Sequence, residues 1–340
     1  MNGYERLMNA LAFKSTIPPP KMLHNFIIAA EYAGYTMREY REDPRVIADT
    51  HIKFAREFRM DGILLDIDTC LEADAIGVKV DYPEDEPARV VGGIEGGLDA
   101  SLEAMDKSKL LKNRRINIAL EAMEIMRREV GGEILLRGNV DQGPFSLAML
   151  ALGITEFMMS LYDNPAGSIA LMERAYEVHM EFHRLMKQAG ADITSFGDSS
   201  CGPDLISPEM YREFSLPFHK RMASELEKEG ITTICHICGN LDLILEDLVE
   251  AGFPAIEADY KTDIVRAQKI LKDKVVMFGP IDPSGIFYYG TPEIIKAETQ
   301  RVISIFNNQG LVVGAGCALP HGIPKENIRA FVEGVESWPN

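Results

Sequence analysis

A histidine and a cysteine stand two residues apart in Cys235-His236-Ile237-Cys238-Gly239, at the end of a strand-like run. Side chains of a strand alternate faces, so His236 and Cys238 point one way and Cys235 the other. An imidazole and a thiol placed like that reach a single ion. A third soft ligand, Cys317 in Gly314-Ala315-Gly316-Cys317-Ala318, lies just past the last strand-like run, and the two glycines let the backbone pass close to whatever sits there. One imidazole with two thiolates suits tetrahedral zinc, and three protein ligands leave a position open for substrate. Asp259 or Glu257, near the end of the sixth run, would be available to close the shell while the site is empty. The competing reading makes His236 a hydrogen-bonded core residue and the cysteines small buried hydrophobes.

Other polar residues follow earlier strand-like runs. Asp68 and Asp198 are candidates to orient substrate or a metal-bound group. Asn139 and Gln142 are candidates to supply hydrogen bonds, and His24 is a weaker one. Hydrogen-bonded loop and turn roles compete for all five. His51, His179, His183 and His219 fall in helical stretches and are expected on the surface or in packing, and methionines such as Met158 and Met159 as core filler.

Eight short apolar runs would position these groups: residues 22–27, 62–67, 133–137, 192–196, 232–237, 255–258, 275–278 and 311–313. Between them lie stretches of helical periodicity, including 116–130, 169–189, 208–229, 241–251 and 292–308. Ser207-Pro208 and Thr291-Pro292 each place a capping hydroxyl before a first-turn proline. Eight strands alternating with helices predict a single (β/α)8 TIM barrel over residues 1–340, with a doubly wound open sheet as the alternative. In a barrel the chemistry belongs at the C-terminal strand ends, where the candidates fall. The polar stretch from Asp81 to Arg89 is expected to be an exposed loop.

Hydrophobic residues make up 46% of 340, enough for a large core. Thirty-five basic residues against 52 acidic give a net charge of −17, which argues against nucleic acid or an anionic membrane as partner. No apolar run reaches the roughly 18 residues of a membrane span, and the first residues lack a signal-peptide layout. A cytoplasmic location is expected. The five cysteines are an odd number without a secretory context, so metal binding or buried thiols fit better than disulfides.

With these residues in view, the sequence resembles the uroporphyrinogen decarboxylase superfamily, and within it the zinc-dependent, corrinoid-linked methyltransferases. The resemblance runs over nearly the whole chain. It rests on His236-Ile237-Cys238-Gly239-Asn240, Gly316-Cys317-Ala318-Leu319-Pro320, Gly143-Pro144-Phe145-Ser146-Leu147-Ala148, Asp204-Leu205-Ile206-Ser207-Pro208-Glu209 and Ile323-Pro324-Lys325-Glu326-Asn327-Ile328. The decarboxylases carry arginines near the N-terminus that bind the acidic porphyrinogen, whereas residues 18–26 here hold none. Asp68 matches their catalytic aspartate in position, and Glu72 matches an acid of the methyltransferases.

The resemblance implies a methyl group moved between a small methylated substrate or thiol and the cobalt of a corrinoid. Zinc would hold a thiol as thiolate, as in coenzyme M methyltransferases, or polarise a donor such as a methoxylated aromatic, as in O-demethylases. The triad fits thiol activation slightly better. No Asp-x-His-x-x-Gly cobalamin signature is present, so the corrinoid (cobalamin) is expected on a separate partner protein. A decarboxylase-like lyase and a non-catalytic zinc or corrinoid-partner binding protein remain the alternatives.

Overall fold

In the computed structural model, which describes residues 1–339, the apolar runs form strands buried on both faces. The strands are β1 (Gly62–Leu65), β2 (Lys79–Asp81), β3 (Arg89–Gly92), β4 (Leu135–Gln142), β5 (Ile193–Gly197), β6 (Thr233–Ile237), β7 (Ala255–Ala258), β8 (Val276–Ile281) and β9 (Leu311–Ala315). Seven make one parallel sheet in the order β1-β4-β5-β6-β7-β8-β9. It is TIM-barrel-like and curled, with helices packed outside it. Leu64, Leu135, Ile193, Ile234, Ala255, Val276 and Val312 form an inner layer with Leu7 and Ala10 of the N-terminal helix Gly3–Leu11. Their alternate neighbours, such as Ile63, Leu65 and Leu136, join the larger core against the helices.

The closed eight-stranded barrel expected from the sequence is corrected in one place: residues 22–27 form no strand. Lys21 makes a single bridge to Val313 of β9, and its carbonyl accepts from the Asp61 amide just before β1. The segment thus bonds on both sides of the gap without becoming a strand. Pro18, Pro19 and Pro20 have no N–H to offer a ladder, and the helix Phe26–Ala33 takes over a few residues later. Gly314 permits the close approach, since a Cβ there would stand 2.1 Å from the Met22 carbonyl oxygen.

Other differences are local. The third run extends to Gln142, so Asn139 sits within β4 and not after it. The helical stretch 208–229 is broken by a wide π turn at Tyr211–Ser215, ahead of Pro217, whose missing N–H cannot continue a regular ladder. The ends of the polar stretch 81–89 are paired rather than looped: Asp81 of β2 lies opposite Arg89 of β3, and their side chains form an ion pair. Ser207 and Thr291 cap their helices as expected, accepting from the amides of Met210 and Ile294. Among the described residues, no single helix is long and apolar enough to cross a membrane.

Candidate functional site

Parallel pairing sets His236 of β6 beside Gly197 of β5 and Glu257 of β7, at the C-terminal end of the sheet. Its Nδ1 donates to the Glu257 carbonyl oxygen at 3.1 Å, which fixes the ring and leaves Nε2 free for other work. Nε2 lies 3.0 Å from the Cys238 sulfur, and that sulfur 3.8 Å from the Cys317 sulfur. The Cys238 amide donates to the Ser199 hydroxyl at 3.2 Å. Gly316 carries Cys317 inward past β7, where a Cβ would stand 2.7 Å from the Ala258 carbonyl oxygen. All three ligand atoms lie within 4.8 Å of one another, the spread a single ion can span.

The electrostatics fit a cation at that point. A hydrogen bond from Cys317, reinforced by the His236 ring, holds the Cys238 thiol down at about 3. The same contact pushes Cys317 upward. Burial lowers His236, but the Cys238 thiolate and Glu257 together outweigh it and raise the imidazole to about 9. The triad therefore holds a thiolate beside a thiol and an imidazolium, and a bound cation would displace the protons of the last two. Cys235, on the opposite face, is buried and its thiol is pushed up by desolvation.

A cavity of about 220 Å³ opens beside the triad. Phe26, Leu64 and Pro87 give it apolar walls, and beside the triad its polar side groups are His24, Asp66, Asp68, Thr69, Arg137, Asn139, Asp141, Gln142, Ser199 and Glu257. Phe196 borders it too, but its buried ring packs on His179, His183, His219 and Phe253. Asn139 donates to Asp66 at 3.0 Å, and His24 Nε2 meets the other Asp66 oxygen at 2.5 Å. Asp68 accepts from the Cys70 amide at 2.9 Å and is ion-paired with Arg115. Asp141 sits at φ 53°, in the left-handed region, where Asp and Asn are the side chains most easily placed.

Burial pushes the Asp68 carboxyl from 3.8 up to about 6, against the pull of Arg115. Between those values the folded protein holds a proton that the unfolded chain has lost, so this group opposes folding increasingly as pH rises from 4 to 6. Infrared difference spectra should show a protonated-carboxyl band that vanishes with a midpoint near pH 6 and is missing in Asp68→Asn. A midpoint near 4 would contradict the assignment.

Asp198 does not face the cavity. One of its oxygens accepts from the Ser146 amide at 2.7 Å, in the first turn of the helix Pro144–Leu152, and the other meets His219 Nε2 at 3.1 Å. It is a buried anchor, and His219 is held in turn by the Tyr211 hydroxyl at 3.1 Å. Asp198, Cys201 and His219 also converge, but each already has a protein partner. Neither Glu257 nor Asp259 joins the triad's cluster. Glu257 forms a close ion pair with Arg137, although the contact is not an aligned hydrogen bond. Both Asp259 oxygens accept backbone amides, from Gly239 at 2.8 Å and Lys261 at 3.1 Å.

The four helical histidines are all buried, which removes the surface half of that expectation. His179 meets Glu72, His183 meets Thr194, and His51 meets the Tyr40 hydroxyl. Glu72 lies behind the cavity, where its carboxylate accepts from the Gln142 amide and its own amide donates to Asp141. Sequence reasoning missed Asp66, Arg137, Asp141 and Arg115. An arginine inside the apolar β4 run and the Asp66-Ile67-Asp68 alternation were visible signals for the first two. Arg115 sits in an ordinary amphipathic helix and gave none.

Residues 3–338 match the family model described as uroporphyrinogen decarboxylase (URO-D). Among curated proteins, a methylcobamide:CoM methyltransferase of Methanosarcina mazei is 26% identical over 276 residues, covering 80% of this chain and 78% of that one. A uroporphyrinogen decarboxylase of Trichodesmium erythraeum is 26% identical over 310 residues, covering 87% and 83%. Among solved structures, a methyltransferase from Methanosarcina mazei superposes with a TM-score of 0.91 at 22% identity, covering 99% of both chains. A B12-independent methionine synthase from Shewanella reaches 0.57 at 11% identity over 86% of each.

Proposed function

The chain belongs to the uroporphyrinogen decarboxylase family, and from that premise we propose that it is a zinc-dependent methyltransferase. It passes a methyl group between a small thiol and the cobalt of a corrinoid carried by a partner protein. The observation that carries this reading is the meeting of His236, Cys238 and Cys317 at one edge of a cavity. Methylcobamide:CoM and methylated-thiol:coenzyme M methyltransferases among its relatives support it.

Zinc held by those three residues would keep an incoming thiol as its thiolate, or polarise a methylated donor. The chain's own groups do the rest. The Glu257 carbonyl orients the imidazole, and Ser199 holds the Cys238 backbone. The cavity of about 220 Å³ admits a small substrate. Pockets that bury drug-sized ligands run to roughly 300–1,000 Å³, so the cavity favours a small substrate over a porphyrinogen. Asp68, ionised at neutral pH, is placed on the wall to take the proton a thiol gives up, and Asn139 positions Asp66 beside it. Asp198 acts only by anchoring the helix Pro144–Leu152.

The apolar walls favour one second reading, a methoxylated aromatic donor lying against Phe26 and Leu64, with methyl transfer toward cobalt as in O-demethylation. We place the protein in the cytoplasm, where its five free cysteines stay reduced.

The test is anaerobic methyl transfer from methylcobalamin to a small thiol, before and after chelation. Chelation should abolish transfer, zinc should restore it, and the circular dichroism should stay unchanged, because a core of this size does not depend on one ion. Activity that survives chelation would end the zinc reading.

A further inference from the structure

We infer that the reaction cavity is built for a thiol whose other end is cationic, such as an ammonium, and disfavours thiols ending in sulfonate or carboxylate. This rests on the methyltransferase reading and narrows its substrate.

The cavity's titratable lining sets the preference. Asp66, Asp68, Asp141 and Glu257 all face it, each 3% exposed or less. The cationic or protonatable side chains facing it, apart from the proposed ligand His236, are Arg137 and His24, and both are engaged. Arg137 is paired with Glu257, with its guanidinium 5.5 Å from the Phe278 ring, and His24 is held by Asp66. Arg115 reaches Asp68 from outside the cavity.

Asp141 has no cationic partner, and burial, with Glu72 and Asp68 nearby, pushes its carboxyl well up, a shift that an incoming ammonium would reverse. One oxygen accepts from the Glu72 amide at 3.0 Å, the other only a long contact of 3.4 Å from the Gln142 side chain. A substrate ammonium would find a buried acceptor there and the Phe26 ring on the cavity wall. An anion would find every cation already paired with a carboxylate and no free positive group, in a partly desolvated space that screens little.

The arginines without buried carboxylate partners lie elsewhere. Arg38, Arg41 and Arg114 line a separate cavity of about 360 Å³, which Arg115 also touches. Glu42 and Glu84 line that cavity too, both paired with Arg38, and the Asp68–Arg115 pair stands between the two cavities.

The reaction balances with any thiol. The sulfur pair forms the new S–C bond, the Co–C bond breaks with its pair staying on cobalt, Co(III) becomes Co(I), and the thiol proton is released.

The test uses the zinc-loaded protein, methylcobalamin and three thiols of one length: cysteamine, 2-mercaptoethanol and 2-mercaptoethanesulfonate. Each rate is divided by its uncatalysed rate, which removes differences in intrinsic nucleophilicity. Cysteamine should exceed the sulfonate in kcat/KM by about tenfold or more, the scale of one unfavourable charge contact. Calorimetry with the two S-methylated products, needing no cobalt, should show the same order. Asp141→Asn keeps the left-handed backbone and removes the carboxyl that an ammonium would ionise, and should cut the preference by about threefold or more.

A sulfonate bound and methylated as well as the amine would overturn the inference and point its anion toward the arginines. No transfer to any thiol, with the amine product still bound more tightly, would sink the methyltransferase reading and leave the cavity's preference standing.

Discussion

Cys317→Ser should lower bound zinc from about one ion per chain to under about a tenth, and methyl transfer by about a thousandfold or more. Loss of an outer partner of a metal ligand already costs about 10–100-fold, and loss of a ligand costs more. The effect should be that large because Cys317 is the member of the triad supplied by a second element. Without it, His236 and Cys238 of one strand end remain as a two-ligand site. His236→Ala should behave alike, since it removes both the free Nε2 and the bond to the Glu257 carbonyl. Circular dichroism at room temperature should change little in either variant, while the melting temperature should fall to that of the chelated wild type. Elemental analysis is decisive here, and equal zinc in variant and wild type would remove the triad from the account.

Arg137→Leu should cost about 3–5 kcal/mol of stability, the penalty of leaving a buried charge without its partner. Glu257 is 3% exposed, and Arg137 leads the influences that hold its carboxyl down at about 2 against the upward push of burial. A depressed carboxyl contributes stability that is present above its unfolded value and lost as pH falls through the folded one. With Arg137 gone, burial dominates and the sign reverses. The variant should therefore lose stability as pH rises from 5 to 8, where the wild type is flat in this group. Urea unfolding at the two pH values reads both effects. Adding Glu257→Leu to Arg137→Leu should recover most of the loss, because the pair is removed together. A single variant as stable as wild type would show that Glu257 does not depend on this pair.

These groups differ in how far they could be read in advance. His236 and Cys238 were legible because strand alternation is a local rule, and β7 falls at the expected residues for the same reason. Residues 22–27 looked equally strand-like, but a ladder needs donors in register on a neighbour, and the prolines before them leave a single bridge. Asp68 and Asp198 were indistinguishable as acids following strands. What separates them is packed behind each from distant sequence: Arg115 behind Asp68, and the Ser146 amide with His219 around Asp198. The Arg137–Glu257 pair joins β4 to β7, which are not neighbours in the sheet, so only the curl brings them together.

Zinc K-edge X-ray absorption of the purified protein, with and without a small thiol, tests the central claim most directly. The account predicts one nitrogen at about 2.0–2.1 Å and two sulfurs at about 2.3 Å from the protein, with the sulfur count rising by one when the thiol is added. A metal shell closed by four protein ligands and unmoved by the thiol, or no zinc at all, would contradict it.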